Sequence, residues 1–311
     1  MLIKLVPENT KIDFLKLRFI CIAASIIILM ATLGLLLTKG LNYGIDFSGG
    51  TLVQIQTEKA VPIGDIRAQL FDAGYDGLII QEYGSPTEIL VRVPSEIMPE
   101  GGGEATTKTA LALANALENV AGNTQVRRVE FVGPQIGQEL KRKGFLAVLF
   151  SALAILAYVS IRFEFRFALG ALVALLHDVV ITIGVFSFLQ KEISMPVLAA
   201  FLTILGYSLN DTIVVFDRVR ENMGRFKKKR FIEVLNLSVN EMLNRTLMMT
   251  VTTAIVLLAL FFYGGEVIHD FAFALLVGVI VGTYSSIYIA SPIVLWMDSK
   301  KKYDTDVNSD N

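Results

Sequence analysis

Six stretches of this chain are apolar for longer than a core helix of a soluble domain requires: 19–38, 144–161, 167–189, 193–216, 246–263 and 271–297. Crossing a hydrocarbon layer takes about 20 helical residues, with a tolerance of roughly 17 to 25. Lipid offers backbone N–H and C=O groups no partner, so each stretch must bond to itself as a helix. The expected fold class is therefore a multi-pass α-helical membrane protein with six transmembrane helices. Composition agrees, at 53% hydrophobic and 18% charged, against about 25% charged in ordinary soluble proteins. The first run is too long for a signal-peptide core and is followed by no small-residue cleavage site, so it is expected to remain as the first helix.

The net charge of −1 gives no whole-molecule attraction for nucleic acid, so the placement of the charges is what informs. Arg218, Arg220, Arg225, Lys227, Lys228, Lys229, Arg230 and Arg245 crowd the connection between runs four and five. Arg162 and Arg166 lie between runs two and three, and Lys300 to Lys302 follow run six. Of the opposite connections, one holds Lys191 and the other, 264–270, holds nothing basic. By the positive-inside rule both termini are cytoplasmic. Lys141, Arg142 and Lys143 depart from that rule, but they follow a translocated segment of about a hundred residues, and long segments largely escape it. The expected division is a cytoplasmic N-terminus (1–18), transmembrane helix 1 (19–38), an extracytoplasmic domain with a hinge (39–143), helices 2–6 (144–297) with a basic cytoplasmic loop (217–245), and a cytoplasmic tail (298–311). The polar end of that tail, 304–311, is expected to be disordered. One cysteine, Cys21, excludes an internal disulfide.

Between runs one and two the pattern changes from continuous apolarity to alternation. Strands are expected at 51–57, 78–83, 89–93 and 126–132, and helices at 63–73, opened by Pro62 and closed by Gly74, and at 105–120. A Gly-Ser-Pro turn, Gly84 to Pro86, joins the second and third strands, and glycines 101–103 precede the second helix. The order β-α-β-β-α-β is that of a ferredoxin-like domain. No metal-ligand, nucleophile-base or phosphate-loop pattern sits in it, which favours a binding or mechanical module over an enzyme. The stretch GIDFSGG (44–50) lacks the lysine and the preceding strand of a phosphate loop; its glycines are expected to permit a tight entry into the first strand. Gly278 and Gly282 form a small-xxx-small face for close helix packing in run six.

Polar residues inside these runs are the candidates for function. Asp211 lies roughly 10 Å from the centre of run four at 1.5 Å per residue, within a half-thickness of about 15 Å. At about 100° per residue Thr203, Tyr207, Asn210, Asp211, Asp217 and Arg218 share one sector of that helix. An unpaired carboxylate facing lipid costs several kcal/mol, so this stripe must face protein or water. Arg245, entering the antiparallel fifth helix with Thr252 and Thr253 deeper on its face, is the natural counter-charge. The alternatives are a buried helix-helix staple or an arginine snorkelling to the interface. His177 and Asp178, near the middle of run three, form a second titratable pair that serves either as a proton relay or as a polar bridge between helices. His269 and Asp270 border an outer loop and read as solvated interface residues. An aspartyl-protease dyad of Asp178 and Asp211 is disfavoured, because the two differ by about 10 Å in depth and such a dyad shares one proton within hydrogen-bond reach.

At these residues the chain resembles the SecF family, membrane subunits of the bacterial Sec protein-export machinery and members of the RND superfamily. The similarity rests on GIDFSGGT after run one, FVGPQIG before run two, RFEFRFALGALVALLHDV into run three, LGYSLNDTIVVFDRVREN on run four and NRTL opening run five. It implies a multi-pass subunit of the inner membrane that pairs with SecD, a separate chain, and acts with the SecYEG channel on unfolded secretory protein, using the proton motive force. It implies no cofactor, metal or enzymatic activity. The aspartate of SLNDT and the arginine of NRT are implicated in proton transport by the family, here Asp211 and Arg245; Asn210, His177 and Asp178 receive no role from it. It also implies a ferredoxin-like extracytoplasmic domain. Gly133 and Pro134, before run two, are a candidate hinge for passing motion to that domain, or an ordinary turn. Competing functions are a small-molecule or lipid exporter half of the same superfamily and a scaffold with no proton role.

Overall fold

The computed structural model describes residues 10–95, 97 and 102–298. Residues 1–9 of the N-terminal segment, Gly101, Lys300 to Lys302 and all of the tail beyond residue 298 lie outside the described residues. In chain order the elements are α1 (Arg18–Thr38), β1 (Asn42–Tyr43), α2 (Ile45–Ser48), β2 (Gly50–Thr57), α3 (Ile63–Asp72), β3 (Ile79–Tyr83) and β4 (Ser85–Val93). There follow α4 (Gly102–Ala121), β5 (Thr124–Val132), α5 (Pro134–Arg162), α6 (Phe165–Leu189), β6 (Glu192–Ile193), α7 (Met195–Arg225), α8 (Phe231–Tyr263) and α9 (Glu266–Ser285). After α9 the chain makes one π turn, Ser286–Ala290, and continues as helix to residue 298. Two compact units result, one of long helices and one formed by residues 43–146 with 192–195.

Among the described residues six helices are long and apolar enough to cross a membrane. Of the most apolar stretch, 50% is buried in α6 and α7 and 56% in the last helix, against 11% in α1, α5 and α8. The first three therefore form the inside of the unit, and the others turn Phe19, Ile27, Phe150, Ile161, Ile255 and Phe262 outward, as lipid contact requires. The interior is close-packed: Phe167 and Phe216 meet edge to face with ring centroids 5.0 Å apart. A Cβ at Gly278 would run into the Ile204 side chain on α7, and one at Gly282 would lie 3.1 Å from Ser208 Cβ. Glycine at both places lets α9 approach α7 closely.

The expected basic loop 217–245 is instead mostly helix, because α7 continues to Arg225 and α8 starts at Phe231. Hydropathy marks where the lipid-like composition ends, whereas the helices continue by pairing with each other. Arg218 Nε donates to Glu241 (2.6 Å), and Asn222 Nδ2 donates to Glu241 (2.6 Å) and Ser238 (3.0 Å). Residues 12–14 are held on α8, where Asn240 and Asn236 accept from the backbone N–H groups of Ile12 and Phe14, each at 2.9 Å.

From β2 to β5 the second unit has the order β-α-β-β-α-β and forms a four-stranded sheet, β3-β4-β2-β5, antiparallel throughout. Val53 stands opposite Val91 in β4 and Val129 in β5. The alternation along β2 buries Thr51, Val53, Ile55 and Thr57, and Ile66, Leu70, Leu113 and Leu117 from α3 and α4 complete the core. The turn before β4 is tighter than the Gly-Ser-Pro expectation: Gly84 takes φ 70°, and Ser85 and Pro86 already belong to the strand. Proline fits there because β2 pairs with β4 only from Glu88 onward, so no ladder bond is lost to β2. Gly49 (φ 73°) and Gly50 (φ 117°) open β2, conformations that side chains with a Cβ avoid. The α6–α7 connection belongs to this unit: Arg92 forms an ion pair with Glu192, and Gly44 N donates to Ile193 O at 2.8 Å.

Candidate functional site

Hydroxyl groups meet the carboxylate of Asp211. Buried on α7, it accepts from Thr246 Oγ1 of α8 at 2.6 Å and from Ser286 Oγ of the π turn at 2.7 Å. Arg245 is exposed and, among the described residues, makes no ion pair with Asp211. The expected direct contact falls to the next residue, because a step of about 100° around the helix turns Thr246 inward and Arg245 outward.

The second carboxylate is enclosed more completely. Asp178 on α6 is 0% exposed; its Oδ2 accepts from Ser208 of α7 (2.5 Å) and Ser285 of α9 (2.8 Å), and its Oδ1 lies 3.0 Å from His177 Nδ1. The imidazole stacks on Tyr284, with centroids 6.1 Å apart, and the Tyr284 hydroxyl donates to Cys21 O (2.8 Å) and meets Ser25 Oγ (3.0 Å), both on α1. Among the described residues no hydrogen bond joins Asp178 to Asp211 directly. They are connected instead through the adjacent Ser285 and Ser286. A further hydroxyl pair, Thr250 with Thr283 at 2.7 Å, ties α8 to α9 one turn away.

The expected single polar sector of α7 divides in two. Asp211 faces inward, while Thr203 and Asn210 are exposed, since neighbouring positions diverge by about 100° and the core covers one of them. Tyr207 reaches Thr253 at 3.4 Å, and Thr252 bonds back to its own helix at Met248 O. Asp270 pairs with Lys191 at 2.5 Å, with His269 beside it. Pro134 is the first residue of α5, and the carbonyl of Gly133 accepts from Gly137 N at 3.1 Å. Sequence reasoning missed Ser208, Thr246, Tyr284, Ser285 and Ser286. Hydroxyls barely lower hydropathy, yet the run TYSS (283–286) inside the last apolar stretch was a signal in plain view. The π turn starts at this run; such turns occur frequently at functional sites. Among the described residues no group of three or more His, Cys, Asp and Glu is placed to hold a metal ion.

A six-helix membrane unit with two buried, hydroxyl-bound carboxylates, carrying a mixed α/β unit between its first two spans, belongs to a class defined by two matching family models. Residues 112–300 match the C-terminal region of the SecD/SecF protein export membrane proteins, and residues 34–61 match the SecD/SecF GG motif, which contains Gly49 and Gly50. The chain belongs to this family. Within it, the chain is 49% identical over 293 residues to the protein translocase subunit SecF of Magnetococcus marinus, covering 94% of this chain and 93% of that one. It is 45% identical to SecF of Pseudomonas aeruginosa, covering 92% of each. Its fold matches the crystal structure of SecDF, a translocon-associated membrane protein from Thermus thermophilus, with a TM-score of 0.85 and 37% identity over 95% of this chain. It spans 40% of that longer chain.

Proposed function

We propose that this chain is a SecF-type accessory subunit of the Sec protein translocase, acting with SecD and using the proton motive force to promote translocation across the cytoplasmic membrane. Membership of the SecD/SecF family, with identity to SecF subunits along more than nine-tenths of the chain, supports this role. The family's joint SecD/SecF models and the likeness to a SecDF structure support SecD as the partner; SecYEG and unfolded secretory protein complete the proposed assembly. The basic residues around the α7–α8 connection support a cytoplasmic location for both termini. The unit between α1 and α5 then lies on the outer, periplasmic side, and its β-α-β-β-α-β order and central β2 and β4 support a ferredoxin-like fold.

One observation carries the energetic part: Asp211 is a buried carboxylate inside a membrane span, held by Thr246 and Ser286, with no cation in contact among the described residues. Intramembrane carboxylates of this kind mark proton paths. In the ionised state Asp211 accepts both hydroxyls and is balanced from a distance by Arg245. On protonation it becomes a donor, and the hydroxyl pattern across α7, α8 and the π turn must rearrange. Moving one charge through the membrane supplies about 2.3 kcal/mol per 100 mV, enough to bias a two-state packing by a factor of tens. Gly133 and Pro134, where α5 begins, are the proposed hinge that passes this change to the outer domain.

The test is secretion of a reporter protein in cells depleted of the native subunit and supplied with Asp211→Asn, with membrane level and partner copurification checked. Loss of secretion with assembly intact is expected. Full secretion would remove the proton role and leave Asp211 as a helix staple.

A further inference from the structure

His177 has a side-chain exposure of 3%, and among the described residues its Nε2 has no hydrogen-bond partner. A histidine retained only to fill a core would ordinarily satisfy both ring nitrogens, since a buried polar atom without a partner costs roughly 1–3 kcal/mol. The other nitrogen, Nδ1, faces Asp178 at 3.0 Å. The titratable groups around the ring are Asp178 on its own helix and Tyr284 on α9, with Cys21 of α1 and Tyr288 behind the tyrosine. On the α7 side Ser208 meets Asp178, and Asp211 lies beyond Ser286; α8 contributes Thr246 and the more distant Arg245 through Asp211.

The charge balance of this pair depends on one proton. With a neutral imidazole donating from Nδ1, the ionised Asp178 leaves a net charge of −1 in a fully enclosed site. Its hydroxyl partners Ser208 and Ser285 moderate that charge without cancelling it. A proton added at Nε2 makes an imidazolium facing a carboxylate, with net charge zero. No other bond is made or broken, and the same net charge results if the proton resides on Asp178 instead. An enclosed, low-dielectric site distinguishes strongly between these two states.

We propose that His177 is a second proton acceptor of the helical unit, taking up a proton at its free Nε2, and that the His177–Asp178 pair is coupled through Ser285 and Ser286 to the protonation of Asp211. The two serines are consecutive at the entrance of the π turn, one bonded to each carboxylate. Reorientation of either hydroxyl changes the packing of the same turn. The coupling rests on the proton-exchange role proposed for Asp211; proton uptake by His177 does not.

The chain has two histidines, so a full-length His269→Asn protein in lipid nanodiscs reports His177 alone by 15N-histidine NMR. Conversion from neutral to imidazolium is expected between about pH 5 and 9. Asp178→Asn, which removes the facing charge, is expected to displace the midpoint of that conversion. Asp211→Asn should displace that midpoint as well, because the two carboxylates share the Ser285–Ser286 link. Should Asp211→Asn fail to fold, Ser286→Ala serves as the coupling variant and must also displace the midpoint. A single protonation state across that range overturns the proposal, even if Asp211→Asn abolishes secretion and the role of Asp211 stands. A midpoint indifferent to both coupling variants overturns the link between the sites. Intact secretion by Asp211→Asn with a titrating His177 would instead sink the Asp211 role.

Discussion

Ser285 and Ser286 are neighbours in the chain, yet they serve carboxylates on different helices: Ser285 donates to Asp178 of α6 at 2.8 Å and Ser286 to Asp211 of α7 at 2.7 Å. Two buried acids are thus joined by one peptide unit of the last helix. Each serine replacement by alanine removes a hydrogen bond to a buried acceptor and should cost about 1–3 kcal/mol. The effects of Ser285→Ala and Ser286→Ala should be non-additive by about 0.5 kcal/mol or more, as for residues in one network. Unfolding in detergent of both single variants and the double variant measures this. Strict additivity would mean that the two acids act independently.

Close approach of α9 to α7 depends on Gly278, where a Cβ would collide with Ile204. Gly278→Ala should destabilise the helical unit by about 1–3 kcal/mol, the usual cost of overpacking. Ile204→Ala combined with it should recover part of that loss, although Ile204→Ala alone is itself destabilising. A thermal-unfolding cycle of the four proteins checks the prediction, and absence of rescue would show that strain is relieved elsewhere.

Arg92 and Glu192 form an ion pair with side-chain exposures of 5% and 21%, and Arg92 also donates to Tyr43 O at 2.7 Å. Removing one member of such a pair leaves the other charge poorly compensated, at a cost of about 3–5 kcal/mol where burial is complete. Glu192→Gln should fall below that range, since the glutamate is partly exposed, and Arg92→Met should reach it. Limited proteolysis at residues 43–146 is expected to accelerate in the order Arg92→Met, Glu192→Gln, native. Equal rates for all three would remove the pair from the stability of this unit.

Gly50 combines a φ of 117° with a Val93 carbonyl that would lie 2.5 Å from an added Cβ. Gly50→Ala therefore faces both backbone strain, of order 1–3 kcal/mol, and a clash at the start of the central strand. Amide hydrogen exchange along β2 and β4 should rise in this variant. Gly64→Ala, on α3 where nothing lies within 4 Å of the added Cβ, should leave that exchange unchanged or slow it.

Unbroken apolarity in an environment that cannot bond to the backbone leaves helix as the sole solution, so the six helices were legible in sequence. The β-α-β-β-α-β order was legible for a related reason: strand and helix burial impose periods of 2 and 3.6 that survive without knowledge of partners. Asp211 and Asp178 stood out because a carboxylate in such a run has no inexpensive explanation. Their partners did not, since serine and threonine scarcely alter hydropathy and a hydroxyl belongs to a site only when another helix brings an acceptor to it. Which of Arg245 and Thr246 touches Asp211 depends on the rotation of α8 about its axis, and the extent of α7 and α8 beyond the apolar runs depends on pairs such as Arg218 with Glu241. The local chain determined which segments are helices and which acids are costly. Only helix packing decided who stabilises them, because rotation and approach are set by contacts between segments far apart in sequence.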